Sequence, residues 1–179
     1  MILIRHGESE FNVHFNRTRV DPGIRDPALT EAGRQQAAAA AERLQDRDVA
    51  RLLASPYRRA LETAHIIAER LGLSIAVEPL VRERCAFVCD IGSERSILAE
   101  SWPHLDFDHV EERWWPASEE SELLLGERCG AFRIAARGMA DWHRVAVVSH
   151  WGFIRGLTGR ELRNGELIHF DPHAGDCPS

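Results

Sequence analysis

Lysine is absent from this chain: every one of the 22 basic residues among its 179 is arginine. That excludes a Schiff-base lysine, a pyridoxal-phosphate anchor and a phosphate-binding loop of the GxxxxGK[ST] type. A codon bias in the source genome is reason enough for the gap, and the exclusions hold whatever the cause. Cysteine is scarce too. Cys85, Cys89, Cys129 and Cys177 do not make a disulfide framework, and the CxxxC spacing of the first two is neither that of a zinc ribbon nor that of a redox pair, so free thiols are expected. No apolar run reaches the length of a membrane span, and no leader with a basic start and an apolar core precedes the first strand; a cytoplasmic protein without a membrane partner is expected. Positive charge is in deficit, with a formal net charge of −6. This argues against a nucleic-acid partner, whose phosphates call for a net basic face, and confines any anion site to a local cluster. Repeats and low-complexity linkers are lacking, and 44% hydrophobic content at this length fits a single domain over 1–179.

Met1 to Ile4 is an apolar run that ends abruptly in Arg5-His6-Gly7, a buried strand carrying a cation and an imidazole to its C-terminal edge. Residues 13–28, rich in Asn, Asp, Pro and Arg, read as a long loop. Thr30 has the character of an N-cap for a helix through about Asp46, with Ala32, Ala37, Ala40, Ala41 and Leu44 at helical spacing. Val49 to Ala54 is a short strand; Pro56 opens a helix that Gly72 closes; Ser74 to Val77 is a third strand. Strands alternating with helices in this way predict β-α-β crossovers and an α/β fold with a mostly parallel sheet. Pro79 to Pro116 is weaker in pattern, with a short helix at Ile97 to Trp102, and a flap or insertion around 84–117 suits its composition. Ser118 to about Asp141 is helical, with Leu124, Leu125, Cys129, Phe132, Ala136 and Met139 as inward positions. Glu111, Glu112, Glu119, Glu120 and Glu122 read as a solvated face rather than a metal site. Val145 to Val148 is a buried strand running into Ser149-His150-Trp151-Gly152, followed by a helix from Phe153 to Thr158 and a last strand around Leu167 to Phe170.

Open parallel sheets bind ligands beyond the carboxyl ends of their strands. Arg5-His6, Arg58-Arg59 (after Ser55-Pro56) and Ser149-His150 all fall there. Two imidazoles, one or two guanidiniums and a helix N-terminus suit a tetrahedral dianion.

These residues resemble the histidine phosphatase superfamily, also called phosphoglycerate mutase-like. Arg5-His6-Gly7-Glu8 with Asn12 resembles its RHGExxxN signature, Leu29 to Ala37 its LTExGxxQA segment, Ser55 to Ala64 its SPxxRAxxTA segment, and Val147 to His150 its VSH segment. The resemblance covers most of the chain. It implies a three-layer α/β/α sandwich and a phosphatase that needs neither metal nor other cofactor. His6 would be the nucleophile that becomes phosphohistidine; Arg5, Arg59 and His150 would hold the phosphoryl oxygens, with Asn12 beside them and His150 best as a cation. The family's proton donor lies in an LxE-type segment after the third strand. Leu80 to Glu83 occupies that place, which makes Glu83 the candidate acid, Glu8 a weaker rival, and a surface ion pair of Glu83 with Arg82 or Arg84 the bland alternative. The chain departs from the family at Arg84 to Gly92, where many relatives have Gly-x-Trp-Glu-Gly, and at Trp151, where a glycine is usual. Trp151 is either a wall of the substrate pocket or packing for the next helix.

Chain length favours hydrolysis of a small phosphorylated metabolite over a phosphoglycerate mutase-type phosphotransfer. Arg82 or Arg84, with Arg17, Arg19 and Arg25, are candidates to read a second anionic group on the substrate. A catalytically silent relative would have lost His6, Arg59 or His150, and none is lost. Trp114-Trp115 marks either a protein interface, such as a homodimer contact, or the hydrophobic anchor of the flap.

Overall fold

The computed structural model of the protein describes residues 1–174. Five short strands, β1 (Ile2–Arg5), β2 (Arg51–Ala54), β3 (Ile75–Val77), β4 (Val145–Ser149) and β5 (Leu167–His169), form one sheet in the order β3-β2-β4-β1-β5. All neighbours are parallel except β5, which runs antiparallel to β1. Successive side chains on a strand point to opposite faces. Ile2, Ile4, Leu52, Ala54, Ala146 and Val148 enter one core with Ala40, Leu44, Leu61 and Ile67. Leu3, Leu53, Val145 and Val147 enter a second with Leu125, Phe132, Phe153 and Leu157. Both faces are therefore covered, which is why the strands read as unbroken apolar runs rather than alternating ones.

The covering helices are among α1 (Glu10–Thr18), α2 (Glu31–Gln45), α3 (Arg58–Leu71), α4 (Arg95–Ser101), α5 (Glu122–Arg137) and α6 (Trp151–Thr158). α2 and α3 lie on the first face and α5 and α6 on the second, giving the three-layer α/β/α sandwich. Thr30 caps α2, its hydroxyl accepting from the backbone N–H of Gly33, and Gly72 ends α3 in the left-handed conformation. No helix of the described residues is long and apolar enough to cross a membrane.

Several expectations need correction. Residues 13–28 are not all loop, because α1 continues to Thr18. A reciprocal cap nucleates it: the Ser9 hydroxyl accepts from the Asn12 backbone while the Asn12 side chain accepts from the Ser9 N–H. Phe11 and Phe15, four residues apart, stack at 5.1 Å on its surface. Leu124 does not face inward; it is 52% exposed, whereas Leu125, Cys129, Phe132 and Ala136 are buried. The acidic stretch is not uniformly solvated either, since Glu120 is 3% exposed. Trp114 and Trp115 are buried in the first core, with Trp114 edge-on to Tyr57 at 4.6 Å and its indole N–H donating to the Ser93 carbonyl. They anchor the 93–115 segment to the body of the protein. Cys85, Cys89 and Cys129 are buried free thiols, and Cys177 lies outside the described residues.

Candidate active site

β2, β4 and β1 are neighbours, so their C-terminal ends form one continuous edge. β1 carries Arg5 and His6 to it, β2 leads into Ser55, and β4 into Ser149 and His150. The backbone N–H of His6 donates to the Ser149 carbonyl at 3.0 Å, and that of Ser55 to Val148 at 3.1 Å, which extends the sheet bonding into the site itself. The His6 and His150 rings stand 5.0 Å apart.

His6 is almost fully buried, with Nδ1 2.6 Å from the Gly7 carbonyl. A carbonyl only accepts, so Nδ1 bears the proton and the lone pair stays on Nε2. Burial, then Arg59 and Arg5, holds this imidazole well below its ordinary pKa, and it is neutral at neutral pH. The Gly7 N–H donates to the Thr63 hydroxyl, which in turn donates to the Arg59 carbonyl at 2.7 Å. A side chain at Gly7 would stand 2.2 Å from the Gly33 carbonyl oxygen, so the turn after His6 rests directly on the start of α2. The Gly in Arg5-His6-Gly7 is required by that contact.

Arg59 occupies the first turn of α3 and is buried. Its guanidinium donates to the Cys89 carbonyl at 2.8 Å and to Asp90 Oδ1 at 3.0 Å, and lies 4.4 Å from the Tyr57 ring. Arg5 donates to the Leu162 carbonyl at 2.7 Å, while its Nε is buried without a partner among the described residues. His150 has Nε2 2.8 Å from the Ser55 hydroxyl and its buried Nδ1 likewise without a partner. Burial, Arg59 and His6 hold His150 well below its ordinary pKa. That shift favours the neutral ring. The unpartnered nitrogens of Arg5 and His150, with the Arg59 guanidinium alongside, are polar groups a tetrahedral anion would satisfy.

Glu83 lies outside any regular element. Its Oε1 accepts from the Arg84 N–H at 2.8 Å and, at 3.2 Å, from that of Phe153 in the first turn of α6. Burial, reinforced by Asp90, raises its carboxyl above the ordinary range and favours the protonated form. A Cβ on Gly152 would come within 2.5 Å of Oε1, so only glycine lets the carboxyl lie this close to α6. The bland reading of Glu83 fails: Arg82 pairs with Glu120, and Arg84 with Glu119 and Glu122.

The other candidates divide. Asn12 stands next to the site, its carbonyl accepting from Ser9 and from Asn164 Nδ2, which also donates to the His6 carbonyl. Arg82 NH2 donates to Glu120 at 2.9 Å, while its buried NH1 has no partner among the described residues. Trp151 opens α6 and is partly exposed under Arg155, whose guanidinium sits 5.0 Å from its ring. Glu8 accepts from the Thr30 hydroxyl at 2.8 Å. Arg17, Arg19 and Arg25 are exposed. Among the described residues no group of three or more His, Cys, Asp or Glu side chains is placed to hold a metal ion. Residues that sequence reasoning passed over are Ser55, Thr63, Asp90 and Asn164. The first two sit in the Ser55 to Ala64 segment already singled out; Asp90 and Asn164 carried no signal of their own.

A parallel sheet whose adjacent strand ends bring together two buried imidazoles and the Arg5 guanidinium, with Arg59 of α3 and the upward-shifted carboxyl of Glu83 beside them, is the arrangement of an α/β enzyme that handles phosphoryl groups. The chain belongs to the histidine phosphatase superfamily (branch 1), whose family model matches residues 1–174. It is 33% identical over 150 residues to a probable phosphoglycerate mutase GpmB of Erwinia tasmaniensis, covering 83% of this chain and 67% of that one. It is 28% identical to a glucosyl-3-phosphoglycerate phosphatase of Mycolicibacterium vanbaalenii, covering 90% of this chain and 73% of the relative. Among solved structures, a mycobacterial glucosyl-3-phosphoglycerate phosphatase in complex with VO3 superposes with a TM-score of 0.65 at 25% identity, covering 93% of this chain and 90% of that one.

Proposed function

We propose that the protein is a cytoplasmic phosphomonoesterase that hydrolyses a small phosphorylated metabolite through a phosphohistidine at His6. The observation that carries this reading is the state of His6: a neutral ring, its Nδ1 proton committed to Gly7, buried beside two fixed cations. Phosphoryl transfer is mostly positioning and charge stabilisation, and such an array supplies both. In the first step the Nε2 lone pair attacks phosphorus as the bond to the leaving oxygen breaks, and Glu83 gives that oxygen its proton. In the second, water attacks phosphorus and the P–N bond breaks, while the Glu83 carboxylate takes a proton from the water. Arg5, Arg59 and His150 hold the three non-bridging oxygens throughout, and the dianion itself draws a proton onto His150 by favouring its charged form. Asn12 contributes its Nδ2. Relatives named for phosphoglycerate chemistry make phosphoglycerate esters the first substrates to try.

The test is phosphate release from p-nitrophenyl phosphate and from a panel of phosphorylated metabolites, with a chelator present, alongside alkaline-quench trapping of phosphoenzyme. Turnover and an acid-labile phosphoryl group, both abolished by His6→Ala, are expected. Equal activity of His6→Ala and the parent overturns the reading. Loss of activity on chelation reveals a metal requirement, and transfer from a bisphosphate primer to 3-phosphoglycerate without phosphate release reveals a mutase.

A further inference from the structure

The segment that delivers Glu83, residues 82–86, has neither helix nor strand to hold it. An acid must nevertheless be placed closely, because a displacement of about 1 Å in a reacting group costs roughly a hundredfold in rate. What fixes this one is a buried ion pair contributed from beyond the 93–115 segment. Glu120, 3% exposed, accepts from Arg128 Nε at 2.9 Å and again from its NH2, and also from Arg82 NH2. Arg128, in α5, then donates NH1 to the carbonyls of Leu80 and Arg82 at 2.8 Å each, with NH2 3.4 Å from that of Glu83. The Ser149 hydroxyl takes the carbonyl between them, Val81, at 2.7 Å. On the far side of Glu83, the Glu120 N–H donates to the Cys85 carbonyl and the Glu120 carbonyl accepts from Arg84 Nε, both at 2.8 Å. The Arg128 guanidinium also lies 5.3 Å from the ring of Phe153, the residue whose N–H holds the Glu83 carboxyl.

We infer that Arg128 and Glu120 are positioning residues for the general acid: a buried guanidinium–carboxylate clamp that replaces the missing secondary structure around Glu83 and sets its carboxyl against the leaving group. Charge alone does not explain the arrangement. A buried pair returns little net stability, whereas a planar fork that reaches several carbonyls at once defines a backbone path. The inference rests on Glu83 being the acid.

The experiment is a leaving-group series, from dinitrophenyl phosphate, which needs no proton, to alkyl phosphates, which do, with the parent, Arg128→Met, Glu120→Gln, Glu83→Gln and the double variant Arg128→Met/Glu83→Gln. The series is compared in kcat/KM, which reports phosphorylation of His6 and not the later water attack in which Glu83 also takes part; for Arg128→Met the expected loss is about tenfold to hundredfold with alkyl phosphates and less than about threefold with dinitrophenyl phosphate. The double variant should be no slower than Glu83→Gln alone, because a misplaced acid and a missing one fail at the same step. Uniform slowing across the series, or additive losses in the double variant, overturns the clamp. A flat series for Glu83→Gln itself overturns the acid assignment instead, so the two failures are distinct. Where Arg128→Met does not fold, Arg128→Lys keeps the charge and loses the fork. Its expected loss is again selective for alkyl phosphates, and parent-like behaviour across the series counts against the proposal.

Discussion

Arg59 and Asp90 form an ion pair 3.0 Å long in which both side chains are almost completely buried. Asp90 Oδ2 also accepts from the N–H groups of Ala86 and Phe87, so one carboxylate ties the Arg59 guanidinium to the turn after Glu83. Asp90→Ala leaves Arg59 as an uncompensated buried charge and frees two N–H groups; a loss of about 3–5 kcal/mol in unfolding free energy is expected. Asp90→Asn keeps the shape and costs less, and its KM should rise more than its kcat falls, since Arg59 is loosened rather than lost. Urea melts and steady-state kinetics on the two variants check both.

The Gly7–Gly33 contact yields a prediction of opposite signs. A Cβ at Gly33 would stand 2.0 Å from the Glu8 carbonyl, whereas one at Gly126, exposed in α5, meets nothing. Gly33→Ala should lose about 1–3 kcal/mol through overpacking of backbone on backbone and also slow turnover, because the turn after His6 must shift. Gly126→Ala should gain about 0.5–1 kcal/mol from helix propensity and leave kcat unchanged. Chemical denaturation of the pair decides it.

Ser55→Ala removes the hydroxyl that pairs with His150 Nε2 and leaves a buried ring nitrogen unmet. A stability loss of about 1–3 kcal/mol is expected, with kcat lowered because His150 is free to turn. Ser55→Thr, which retains the hydroxyl, should recover part of the rate; failure of that rescue would point to packing alone.

His6 and His150 also set a dependence of stability on pH. Burial, then Arg59, depresses both in the folded protein, while the unfolded chain titrates them near about 6.5. Their contribution is therefore fully present above about pH 6.5 and is lost as pH falls below it, by up to about 1.4 kcal/mol per pH unit for each ring. Glu83 and Asp26, raised by burial, act in the opposite sense: folding keeps them protonated to higher pH, so acid relieves their penalty. Urea midpoints from pH 8 to 5 should fall more steeply for the parent than for His150→Asn, and parallel curves would contradict a depressed His150.

Much of this was legible in the letters. Apolar runs followed at once by Arg5-His6 or Ser149-His150 mark strand ends, and alternation with alanine-rich helices marks a parallel sheet, so the shared edge follows from topology. What escaped depended on pairing. Glu120 reads as one more acid in a polar stretch until Arg82 and Arg128 converge on it from either side. α1 escaped because its stability lies in a local cap between Ser9 and Asn12, under a surface too polar to show a stripe.

The order of the sheet has a temporal consequence. β4 lies between β1 and β2 but is among the last strands to be synthesised. Until it arrives, β1 has no partner toward β2, and the pairings that complete the edge, such as Ile2 with Ala146 and Arg51 with Val145, link residues far apart in sequence, the kind of contact that folds slowly. A nascent chain halted before Val145 would hold His6 and Arg59 on strands with nothing to join them. Catalytic competence would thus appear abruptly, once β4 has been made, rather than grow with chain length.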